Sequence, residues 1–117
     1  MADAQTLRQL KIKTGVVKRL FKEEALYREE VVAAAAQVDR LKDSGADGAD
    51  VRNAERVRKD SEQMIPRTRK QLEEGLVALQ DLVGALHSDA AVAASQEYKD
   101  AFSVVQQVEA AWKGEGQ

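Results

Sequence analysis

The side chains best able to do chemistry are concentrated in LKIKTGVVKRL, residues 10–20, where Lys11, Lys13, Lys18 and Arg19 surround a Thr14-Gly15 pair. Four uses suit such a stretch: a phosphate cradle, a nucleic-acid patch, a catalytic K-T-G box, or one face of a helix. The K-T-G chemistry requires an S-x-x-K nucleophile box. None of Ser44, Ser61, Ser88, Ser95 or Ser103 has a lysine three residues on. A phosphate cradle of P-loop type requires G-x-x-x-x-G-K-[ST] after a strand, and that spacing is absent.

The remaining candidates for catalysis or metal binding are few. With no cysteine and a single histidine, His87, the chain has neither a thiolate site nor a His pair. His87 reads as a solvated residue at a helix C-terminus, where the dipole favours it. The acidic pairs Glu23-Glu24, Glu29-Glu30 and Glu73-Glu74 are sequence neighbours that point apart on a helix and read as solvated faces. The expectation is a protein that is not an enzyme and carries no cofactor and no metal.

Nucleic acid is the sharper alternative, because no acid interrupts Ala4 to Lys22, and Lys11, Lys18 and Lys22 share one helical sector. Against it stand the lack of interleaved aromatics and the flanking glutamates, which repel phosphate. Charge is unevenly spread: residues 1–70 hold sixteen Lys/Arg against twelve Asp/Glu, and residues 71–117 hold two against eight. Such a chain can present a positive face to an acidic partner without being a general nucleic-acid binder. The start has no signal-peptide core, and no window approaches the roughly 18 apolar residues of a membrane span. A soluble, cytoplasmic protein is expected.

The elements that position these residues are helices. Aromatics are 4% and charged residues 32%, which leaves material for a thin core only. Alternating steps of three and four give Leu10, Lys13, Val17, Leu20, Glu24, Tyr27, Val31, Ala34, Val38 and Leu41, a 3.5-residue seam that predicts a helix over about 4–43. Gly45 suits a left-handed cap, and Asp47 or Asp50 suits the start of the next helix.

A second seam through Ile65, Leu72, Leu79, Leu82 and Leu86 predicts a helix over about 50–87, kinked but not broken at Pro66. Ser88 or Asp89 would cap a third, about 89–112, whose stripe is Ala91, Ala94, Tyr98, Ala101, Val105, Val108 and Trp112. Short connections make neighbours antiparallel. The fold class is therefore all-α, an elongated antiparallel three-helix bundle (up-down-up, coiled-coil-like), with residues 1–117 as a single domain frayed at 1–4 and 113–117. Ile12, Val16, Phe21 and Leu26 lie off the main seam and either widen the core or form a binding face. Gly15 in a helix interior costs about 1 kcal/mol relative to alanine, which asks for close approach by another helix or by a client.

KIKTGVVKRL at 11–20, Tyr27, Met64-Ile65-Pro66 with Leu72-Glu73 after it, and Glu97-Tyr98-Lys99 together resemble one family, tubulin-binding cofactor A. The resemblance covers nearly the whole chain. It implies a three-helix bundle without nucleotide or metal that captures near-native β-tubulin after chaperonin release and yields it to downstream tubulin-folding cofactors for assembly with α-tubulin. The implied setting is the cytoplasm and the microtubule cytoskeleton, with no nucleic acid or membrane partner. VVAAAAQV and DAAVAAS depart from the charge-rich family pattern. The candidate β-tubulin contacts are Lys11, Lys13, Lys18, Arg19, Lys22, Phe21, Met64 and Pro66. The competing class is a helical scaffold or dimerisation module, and the weak seam at Arg58 and Ser61 leaves the chain a monomer or a homodimer.

Overall fold

Capping chemistry sets the ends of each helix. The computed structural model describes residues 2–116 and contains α1 (Ala4–Asp43), α2 (Gly48–Leu86), α3 (Ala90–Ala93) and α4 (Gln96–Glu115). Asp3 opens α1, its carboxylate accepting from the Gln5 backbone N–H and the Thr6 hydroxyl. Gly45, at φ 72°, closes it. The Ala46 N–H donates to the Leu41 carbonyl and the Gly45 N–H to that of Lys42, the paired bonds of a Schellman cap. Pro66 lies inside α2, which runs past it unbroken.

The single third helix expected over 89–112 is instead two helices. Asp89 caps α3 by accepting from the Val92 N–H, and Ser95 then adopts an extended backbone and caps α4 by accepting from the Tyr98 N–H. The Ser95 hydroxyl also donates to the Val92 carbonyl, so one side chain ends α3 and starts α4. The stripe changes phase there: Ala91 and Ala94 are exposed, and Val92 is buried instead. At the other end α4 continues beyond Trp112 to Glu115, where the Gly116 N–H meets the carbonyls of Trp112 and Lys113. Of the ends expected to fray, Met1 and Gln117 lie outside the described residues, Ala4 begins α1, and residues 113–115 are helical.

The chain divides into two compact units, residues 1–21 with 71–117, and residues 22–70. The first is built from the start of α1, the second half of α2, and α3 and α4. Its core consists of Leu10, Val17, Leu20, Leu72, Leu76, Leu79, Val83, Val92, Tyr98, Ala101, Val104, Val105 and Val108. Phe21, Leu82, Leu86 and Trp112 pack half-buried against it. Leu76, Val83 and Val104 lie beyond the 3.5-residue seam because α2 and α4 each face two neighbours in this unit, which widens the apolar stripe. Gln80 donates to Glu109 at 2.8 Å, and Tyr98 lies against Val83 and His87, so α4 runs antiparallel to α2. At Gly75 an added Cβ would lie 3.6 Å from Val17 Cγ2, marking close approach of α2 to α1.

The second unit is a helical hairpin, the later part of α1 against the early part of α2. Pairing of Glu24 with Arg69 and of Lys42 with Glu55 fixes the antiparallel register. Its core is thin: Val38, Ala54, Glu24 and Thr68 are buried, while Tyr27, Val31, Leu41 and Ile65, expected in the core, are half-buried. Two helices alone cannot enclose a full stripe, and the alanines of VVAAAAQV supply little bulk.

Glu24 overturns its reading as part of a solvated face. It is 4% exposed, and Arg69 donates to both of its carboxylate oxygens, at 2.6 and 2.9 Å. Arg28 lies 3.7 Å away on the exposed side. A buried carboxylate is tolerated only with such compensation.

Candidate functional site

The first five turns of α1 carry the basic stretch, and burial sorts its residues by helical angle. Leu10, Thr14, Val17 and Leu20 are buried. Thr14 takes the core position assigned to Lys13, because the seam here steps by four and then three, Leu10 to Thr14 to Val17, within the same 3.5-residue period. Its hydroxyl donates to the Leu10 carbonyl at 2.6 Å, so burial leaves no polar group unpaired. Lys13 is exposed.

At about 100° per residue, Lys11 and Lys18 fall within about 20° of each other, with Gly15 beside them and Arg19 next around the helix. Lys13 lies at least about 120° from all of those cations, so the structure does not bring it together with them. Exposed Ile12 and Val16 adjoin Arg19 on the side away from the lysines. Phe21, expected among the contacts, packs against the core cluster. Among the described residues neither Lys11 nor Lys18 takes part in an ion pair, and both are exposed. Lys22 is exposed on α1 in the second unit, where Met64 is half-buried and Pro66 exposed on α2.

The expectation that Gly15 admits a neighbouring helix is overturned. A Cβ placed there would meet nothing within 4 Å. Gly15 instead lines a groove of about 440 Å³ with Lys11, Thr14 and Lys18 on α1 and Gln96, Glu97 and Asp100 on α4. Gln96 donates to Asp100 at 2.7 Å. The acidic wall is missing from the reading of the sequence; its only signal is Glu97, the first residue of the Glu97-Tyr98-Lys99 anchor. His87, just past α2, is exposed, with Nδ1 3.5 Å from the Tyr98 hydroxyl. No helix among the described residues is long and apolar enough to cross a membrane.

This arrangement suits recognition through a helical surface: cations, a glycine and exposed aliphatics on one helix, and carboxylates on another. The family model described as tubulin binding cofactor A matches residues 5–105. The chain is similar to tubulin-specific chaperone A of Gallus gallus, 35% identical over 108 residues, covering 92% of this chain and 96% of that one. It is also similar to tubulin-folding cofactor A of Arabidopsis thaliana, 42% identical over 81 residues, covering 69% and 72%. Among solved structures, tubulin folding cofactor A from Arabidopsis thaliana superposes with a TM-score of 0.77 at 36% identity, covering 92% of this chain and 98% of that one. Human tubulin chaperone cofactor a gives 0.71 at 29% identity, covering 89% and 98%. The basic motif on α1, the all-helical architecture and a match from residue 5 to residue 105 have one common explanation: this chain belongs to the tubulin binding cofactor A family.

Proposed function

We propose that this chain is a β-tubulin folding cofactor. It captures near-native β-tubulin after chaperonin release, shields it, and passes it to downstream cofactors for assembly with α-tubulin. The work is done in the cytoplasm, as supply to the microtubule cytoskeleton. It is binding without catalysis, as a monomer or a homodimer built of antiparallel helices. Family membership supports a tubulin client. The observation that carries the choice of surface is the exposed sector of Lys11, Lys18 and Arg19 beside Ile12 and Val16. Charge sets encounter rate and orientation toward acidic β-tubulin, while apolar contact supplies affinity.

Reversal of Lys11, Lys18 and Arg19 to glutamate tests this surface. The expected result is β-tubulin binding weakened by about tenfold, with a loss of salt dependence and an unchanged helical spectrum. Unaltered binding and unaltered salt dependence would exclude this face. Lys22, Met64 and Pro66 are separate candidate contacts in the second unit, to be substituted independently.

A further inference from the structure

Gly15 sits in the middle of α1, where glycine is disfavoured, yet nothing within the chain requires it. Its φ is not positive, since Gly45 is the one glycine with that geometry among the described residues. No other segment approaches it either. At Gly75, by contrast, a Cβ would stand in ordinary van der Waals contact with Val16, Val17 and Leu20, so a neighbouring helix faces that glycine and none faces Gly15. Gly84 is as open as Gly15, but no lysine or arginine lines its groove. The groove at Gly15 is different, because it carries charges of both signs, and beside the buried Thr14 its lining includes a residue with no side chain. Lys11 and Lys18 stand two turns apart on one wall, and Glu97 and Asp100 one turn apart on the other.

We propose that this groove seats one turn of a helix of the tubulin client, with Gly15 at the point of closest approach. The client helix carries an acidic flank toward Lys11 and Lys18 and a basic side chain toward Glu97 and Asp100, with small or apolar residues between them. A volume of about 440 Å³ holds the side chains of such a turn rather than a whole helix. Removal of a Cβ lets two backbones approach more closely than any other residue allows. The charge pattern sets the direction in which the client helix lies. The proposal rests on the tubulin reading above and adds to it a particular seat and polarity.

The test separates the two. Gly15→Ala and Gly15→Leu add side chains into the groove and leave every cation in place, and both replace glycine with a better helix former. The expected result is a Tm equal to or above that of the wild type, with Kd for β-tubulin raised by about threefold for Gly15→Ala and by at least about tenfold for Gly15→Leu. Higher helical stability combined with weaker binding cannot come from unfolding. Glu97→Lys, measured alongside, is expected to weaken binding as well, although it makes the protein more basic. Wild-type Kd for Gly15→Leu, with the wild type binding β-tubulin, would overturn the groove and leave the tubulin reading standing. A wild type that fails to bind β-tubulin would remove both. Self-association of the wild type that Gly15→Leu abolishes, with client binding intact, would assign the groove to a second copy of this chain and overturn the proposal.

Discussion

Substitution of Arg69 by methionine probes how the second unit is held together. The Glu24 side chain is 6% exposed and that of Arg69 21%, and the guanidinium meets both carboxylate oxygens. Removing the arginine leaves a buried carboxylate with only Arg28, 3.7 Å away and 52% exposed. Breaking a buried pair costs about 3 to 5 kcal/mol. Arg28 can swing inward and solvate the carboxylate in part, so the lower end, about 3 kcal/mol, is expected. For a chain of this length that corresponds to a Tm lower by about 12 °C.

The double variant Glu24→Leu with Arg69→Met distinguishes this account from a simple loss of contacts. With no charge left to strand and two apolar side chains of similar volume, stability should return to within about 1 kcal/mol of the wild type. Urea denaturation of the four proteins in the cycle gives the coupling directly. Two results would refute the reasoning: a single variant costing less than about 1 kcal/mol, or a double variant as unstable as the single one.

Two further substitutions test the caps. Ser95→Ala removes the acceptor for the Tyr98 N–H and the donor to the Val92 carbonyl; a loss of about 1 kcal/mol is expected from the urea midpoint, and no loss would contradict the role of Ser95 as the junction between α3 and α4. Gly45→Ala forces a side chain into the left-handed conformation at φ 72° and should lower stability by about 1 kcal/mol, opposite in sign to the same exchange at Gly15.

Local chemistry made much of the fold legible. The ends of α1, the glycine cap at Gly45 and the aspartate cap at Asp89 follow from side chains that act within one turn of where they sit. The break at Ser95 escaped because alanines flank it, and alanine continues a helical stripe in any phase. Its signal is a cap residue followed by an acid in the first turn, Ser95 and then Glu97. The seam places Glu24 on the core side, but its pairing is not legible because the partner lies 45 residues away in sequence, and a glutamate beside Glu23 looks like any solvated pair. At the candidate site Lys11 and Lys18 were visible as one sector. Lys13 falls in the seam when the steps run three then four, but the same period also runs four then three, and that order gives the buried Thr14. The acidic wall and the openness around Gly15 depend on where α4 packs, which no periodicity within α1 can report.

The central claim is capture of β-tubulin, and the direct measurement is native-gel mobility and sedimentation of the purified chain mixed separately with β-tubulin and with α-tubulin. The account predicts a discrete complex with β-tubulin, weakened by salt, and none with α-tubulin. No complex with β-tubulin, or equal complexes with both subunits, would contradict it.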